Sequence, residues 1–101
     1  MAIPDYQKIM LPLLRFAGDE REHPISKARD ELTKSFDLSV EEKNDLLPSG
    51  RQRVFDNRVG WARTYLKKAG LIEYPKRGIF KITQRGLDVL RQNPAEINDS
   101  F

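Results

Sequence analysis

Between residues 48 and 85 the chain places Arg51, Arg53, Arg58, Arg63, Lys67, Lys68, Lys76, Arg77, Lys81 and Arg85 against only Asp56 and Glu73, a local charge of +8. Residues 1–47 sum to −3 and residues 86–101 to −2, so the overall +3 conceals one strongly basic block. Cations at this density neutralise phosphates and release the counterions that phosphates hold. Asn57 and Thr64 lie among them. Asparagine can pair bidentately with adenine and arginine with guanine, so the block holds groups for base edges as well as for charge. A solvated basic face with no partner has the same composition, and charge alone does not separate the two.

Two fragments suggest catalysis. Pro4-Asp5 and Glu41-Glu42-Lys43 spell the pieces of a PD-(D/E)xK nuclease site, which holds a divalent metal between carboxylates and sets a lysine near the attacking water. That chemistry needs carboxylates converging from neighbouring strands, whereas both fragments fall where helices begin and Pro, Asp and Glu are favoured anyway. No catalytic residue and no metal ligand is assigned. The chain has no cysteine and one histidine, His23, which excludes disulfides, thiolate zinc sites and any site needing two imidazoles. His23, beside Pro24 in a polar stretch, reads as a surface residue. No phosphate-cradling glycine loop or nucleophile–base pair is visible. This chain alone is not expected to be an enzyme or to need a cofactor. No apolar run approaches the roughly 20 residues of a membrane helix, and Met1 to Asp5 lacks a secretory pattern, so a cytoplasmic protein with no membrane partner is expected.

The elements that must carry the basic block follow from periodicity. The 101 residues suit one domain. A first helix is expected through Tyr6, Ile9, Met10, Leu13, Leu14 and Ala17, kinked at Pro12 and ended by Gly18-Asp19. A second, capped by Ser26, buries Ile25, Ala28, Leu32 and Phe36. Ser39 and Glu42 have capping-box spacing and open a short third helix to Leu47. The fourth runs from about Phe55 to Ala69, with Gly70 as its stop. Leu71–Tyr74 and Ile79–Ile82 are strand-like and joined by Pro75-Lys76-Arg77-Gly78, so they read as a hairpin. Thr83 caps a last helix through Leu87 and Leu90. The fold class is therefore mainly α with a small β-hairpin, arranged as a winged helix-turn-helix. The domain is expected to span 1–94, with 95–101 as the start of a linker.

In a winged helix, the helix before the hairpin enters the major groove and the hairpin lies beside it. Winding the fourth helix at 100° per residue gathers Phe55, Val59, Ala62, Leu66 and Ala69 into a core stripe. Arg53, Asn57, Gly60, Thr64, Lys67 and Lys68 fall opposite, as a short polar and basic face. Arg63 is ranked with them. Arg58 lies within about 50° of the core stripe and reads as structural. Glycine inside a helix costs about 0.5–1 kcal/mol relative to alanine, which close approach to a sugar-phosphate backbone, or a helix pressed against it, would explain at Gly60. Trp61, at the edge of this face, reads as packed on the fold more readily than as a base contact. Lys76 and Arg77 at the hairpin tip, and Arg51 ahead of the helix, are candidates for phosphates.

The run from Leu46 to Leu71, with Leu47-Pro48-Ser49-Gly50-Arg51-Gln52-Arg53-Val54-Phe55 and Asn57-Arg58-Val59-Gly60-Trp61-Ala62-Arg63 at its centre, resembles the N-terminal domain of Mrr-type restriction endonucleases. Ile3-Pro4-Asp5-Tyr6 and the segment from Arg77 to Gly86 fit the same family, so the resemblance covers essentially the whole chain. It implies a winged-helix module for double-stranded DNA in front of a PD-(D/E)xK-like nuclease domain that this chain does not contain. It further implies that methylated foreign DNA is the target, that a divalent metal belongs only to that nuclease domain, and that self-association would run through it. Two other functions use the same fold: a stand-alone winged-helix transcriptional regulator, and a winged helix serving protein–protein contact.

Overall fold

The computed structural model describes residues 3–97. The chain opens with α1 (Tyr6–Phe16), capped by Asp5, whose carboxylate accepts the Lys8 N–H at 3.0 Å. Its apolar stripe buries Ile9, Met10, Leu11, Leu13 and Leu14. The helix runs through Pro12 without ending, because the flanking leucines are anchored in the core while only one backbone donor is lost. A 3-10 turn, Ala17–Asp19, follows.

The next residues correct the sequence reading. His23–Pro24 form a strand, β1, that pairs antiparallel with a later strand through His23↔Phe80 and Pro24↔Ile79. His23 is therefore buried rather than on the surface. Its Nε2 lies 2.8 and 2.9 Å from the two Asp19 carboxylate oxygens, and its ring centroid is 4.6 Å from that of Phe16. The Asp19 pKa is lowered, first by the hydrogen bond from His23 and then by the Arg21 backbone N–H.

Helix α2 (Ile25–Ser35) starts one residue before the expected Ser26 cap, with extended Pro24 as its N-cap. Helix α3 (Val40–Asn44) has the expected capping box: Ser39 accepts from the Glu42 N–H, and Glu42 accepts from the Ser39 N–H. It stops at Asn44 rather than Leu47, because Asp45 is extended and Leu46 bridges to Arg53. Helix α4 (Val54–Lys68) buries Phe55, Val59, Ala62 and Leu66 against α1. Gly70, at φ +76°, ends the helix in the left-handed region that glycine adopts without strain.

Strands β2 (Ile72–Lys76) and β3 (Ile79–Ile82) form the hairpin. Strand β2 runs two residues further than expected, through Pro75, and the turn contracts to Arg77-Gly78. Proline is tolerated because the strand order β1-β3-β2 leaves β2 at an edge, and the register is irregular between Glu73 and Lys76. Helix α5 (Gln84–Arg91) is capped, as expected, by Thr83, whose hydroxyl accepts the Gly86 N–H.

Five helices and a three-stranded antiparallel sheet, with an exposed hairpin beside α4, make a winged helix-turn-helix among the described residues. One core joins α1, α2, α4, both hairpin strands and Val89. It also takes in Ile97, which is fully buried. The packed unit therefore extends three residues past the expected boundary at 94. The rest of the expected linker, 98–101, lies outside the described residues.

Candidate nucleic-acid interface

The outward side of α4 has three parts. Its middle carries Asn57, Gly60 and Thr64. A Cβ added to Gly60 would meet nothing within 4 Å, so no part of the fold presses on it. The Thr64 hydroxyl donates back to the Gly60 carbonyl at 3.0 Å, and the Asn57 amide donates to Gln52 Oε1 at 3.2 Å. Between these two side chains the helix surface is low and open.

The flank toward the hairpin is cationic and organised by Tyr74. The Arg63 guanidinium carbon sits 5.4 Å from the Tyr74 ring centroid and the Lys67 ammonium 5.7 Å from it. The Tyr74 hydroxyl donates to the Arg63 carbonyl at 3.3 Å. Partial burial raises the tyrosine's pKa, with the nearby Arg63 charge acting the other way. Arg63, Tyr74, Lys76 and Arg77, with Ile25 and Phe80, line a cleft of about 620 Å³ between α4 and the hairpin, and no carboxylate lines it. Arg63 Nε is shielded there without a hydrogen-bond partner among the described residues. The sequence singled out Arg63, Lys67, Lys76 and Arg77 but missed Tyr74, the ring that gathers two of them.

The N-terminal end of α4 carries Arg51 and Arg53, both exposed. Arg53 is the helix N-cap, and its side chain makes no capping bond. A tight loop presents Arg51: Leu47 N–H donates to Gln52 O at 2.9 Å, Gly50 N–H to Leu47 O at 2.8 Å, and Gly50 takes φ +70°. At 1.5 Å rise per residue, Arg53 and Lys67 lie roughly 20 Å apart along the helix. The candidate cations therefore form two groups, one at each end of α4, with the open Gly60 surface between them. Lys68 stands apart from the Tyr74 cluster, with its ammonium 5.4 Å from the Tyr65 ring centroid.

Two further residues resolve. Arg58 is structural: its Nη1 donates to the Ile3 carbonyl at 2.6 Å and to the Pro4 carbonyl at 3.3 Å, tying the chain's start to α4. Trp61, expected to pack on the fold, is 50% exposed. The nuclease-like fragments are separate helix caps, Asp5 on α1 and Glu42 on α3. Among the described residues no group of three or more metal-ligating side chains converges, and no helix is long and apolar enough to cross a membrane.

Fold and face together define a winged-helix domain with a basic helix-and-wing surface. The sequence matches the family described as Mrr N-terminal domain over residues 6–92, and the chain belongs to that family. It is also 29% identical over 100 residues to the type IV methyl-directed restriction enzyme EcoKMrr of Escherichia coli K12. That match takes in 98% of this chain but 33% of the relative, so the chain spans about a third of the relative's length. No solved structure gives a significant match.

Proposed function

We propose that this domain binds double-stranded DNA as the recognition module of an Mrr-like restriction endonuclease. Helix α4 occupies the major groove, with Asn57, Gly60 and Thr64 toward the bases. Arg63, Lys67, Lys76 and Arg77 hold one stretch of backbone, Arg51 and Arg53 another, and Lys68 supplies a further cation at the end of the helix. The observation that carries the reading is the cleft between α4 and the wing, where three cations converge with no carboxylate among the lining residues. A surface built only for solvation gains nothing from concentrating like charge, whereas a polyanion repays it. The open helix surface at Gly60 supplies the close approach that the groove demands.

On this reading, strand cleavage and the divalent metal it uses belong to the part of such an enzyme that this chain does not span. Methylated DNA is the substrate suggested by the relative's name. The test is a titration of labelled duplex at several salt concentrations. With about 4–6 phosphates neutralised, log K falls against log salt with a slope of about −4 to −5. Binding indifferent to salt, or binding only to an acidic protein, would refute the proposal.

A further inference from the structure

On the side of α4 away from the wing lies a second concave surface, which shares Asn57 with the face turned to the duplex but whose aromatic walls the duplex reading does not use. Trp61 and Tyr65 are one helical turn apart, with ring centroids separated by 6.2 Å. Tyr65 in turn stacks on Tyr6 of α1 at 4.9 Å with 18° between the planes. Together with Asp5, Asn57 and Arg58 these rings line a cleft of about 360 Å³. The core does not need Trp61, since the buried stripe of α4 is complete with Phe55, Val59, Ala62 and Leu66. Leaving half of the largest aromatic side chain in water forgoes the burial that usually retains it.

The shape and chemistry fit one kind of occupant. The walls are flat rings and the rim is polar. The Asp5 carboxylate caps Lys8 through one oxygen and keeps the other as an acceptor, and the Asn57 amide, which donates one N–H to Gln52 Oε1, keeps a second N–H and its carbonyl oxygen. This matches a planar heterocycle with donors and acceptors along its edge. Lys68, with its ammonium against Tyr65, puts a cation beside the shelf, and the helix carrying it belongs to the +8 block. A base with its phosphates satisfies walls, rim and cation together, whereas an apolar peptide would leave the charged groups unmatched.

We infer that the Tyr6–Tyr65–Trp61 shelf stacks a single DNA base that has left the double helix, as in a bulge, a mismatch or an extruded nucleotide. In an intact duplex both faces of each base are covered by neighbours, so the shelf discriminates for unstacked bases. This inference rests on the DNA-binding reading and narrows its substrate.

Trp61 is the chain's only tryptophan, so its emission reports on the shelf directly. The experiment titrates the protein with two labelled duplexes of one sequence, fully paired and with one unpaired nucleotide, following anisotropy and Trp61 emission. The bulged duplex should bind about 5- to 100-fold more tightly and should alone quench the emission. Trp61→Ala should erase the preference without changing affinity for the paired duplex, and Trp61→Phe, which keeps a stacking ring, should retain most of it. Equal affinities with unchanged emission would overturn the shelf while leaving salt-dependent duplex binding intact. Failure to bind either DNA would overturn both readings. Emission that shifts with protein concentration in the absence of DNA would assign the shelf to self-association and overturn the inference.

Discussion

Arg63 and Tyr74 hold each other in two ways across the gap between α4 and β2. The guanidinium lies over the tyrosine ring at 5.4 Å, and the tyrosine hydroxyl donates to the arginine's own carbonyl at 3.3 Å. One contact fixes the side chain and the other ties the strand to the helix backbone. The distance between groove helix and wing is thereby set by a pair of residues eleven apart in sequence.

Separating the two contacts is the first prediction. Tyr74→Phe removes the hydroxyl bond but keeps the ring, and should lower stability by at most about 1 kcal/mol, near 4–8 °C in melting temperature for a domain of this size. Tyr74→Ala also loses both cation–ring contacts, at about 0.5–1 kcal/mol each. It should weaken DNA binding severalfold, because the wing is no longer fixed against Arg63. Equal DNA affinity for Tyr74→Ala and the parent would show that wing placement does not depend on this pair.

Lys76 and Arg77 sit on a tight exposed turn, which offers charge but little reach to base edges. Replacing both by alanine should weaken all duplexes to a similar degree and reduce the salt slope by up to about 2. Titrations on three unrelated duplex sequences check this. A loss confined to one sequence would give the wing a role in base readout.

The basic helix was legible because it has a period: the buried stripe through Phe55, Val59, Ala62 and Leu66 follows directly from helical winding. Two caps were legible for a local reason, since Ser39 with Glu42 and Thr83 with Gly86 each lie within one turn, whereas the expected Ser26 cap gave way to Pro24, whose place is set by β1. Strand β1 was not. Two residues carry no alternation, and His23–Pro24 is a strand only because Phe80 and Ile79 come to it from more than fifty residues away. His23 was misplaced with it. Tyr74 and Gly86 escaped for the same cause, their partners being set by tertiary packing. Trp61 shows the converse: its position on the helix was right, but how far the fold covers it depends on where α1 lies.

Acid should expose two carboxylates with the same sign. Asp19 is held below its ordinary value chiefly by the hydrogen bond from His23, and Glu42 chiefly by the Ser39 backbone N–H. A carboxylate depressed in the folded state stabilises the fold fully above its unfolded pKa of about 4, and that contribution is lost as pH falls through the folded value. Stability measured by urea unfolding should therefore decline below about pH 4. Asp19→Asn should flatten part of that decline while lowering stability at pH 7. An acid limb unchanged in Asp19→Asn would mean the His23 contact does not couple to folding.

Gly60 and Gly86 provide the sharpest contrast, since both lie inside helices and only one has a packing reason. A Cβ at Gly86 would run into the Leu71 carbonyl and come within 2.6 Å of Ile82 Cγ1, a backbone and a core side chain that have little freedom to move. Gly86→Ala should therefore destabilise the fold by about 1–3 kcal/mol, as overpacking does. A Cβ at Gly60 meets open space, so Gly60→Ala should gain about 0.5–1 kcal/mol from helix propensity alone. Gly60→Leu should also remain folded, because its side chain projects outward, yet it should obstruct the approach of DNA to α4. Thermal melts beside duplex titrations for the three variants decide the matter. A Gly60→Leu protein that unfolds early would make Gly60 a packing glycine after all. One that stays folded and binds normally would move the groove contact off the Asn57–Thr64 face, toward Arg63 and the wing.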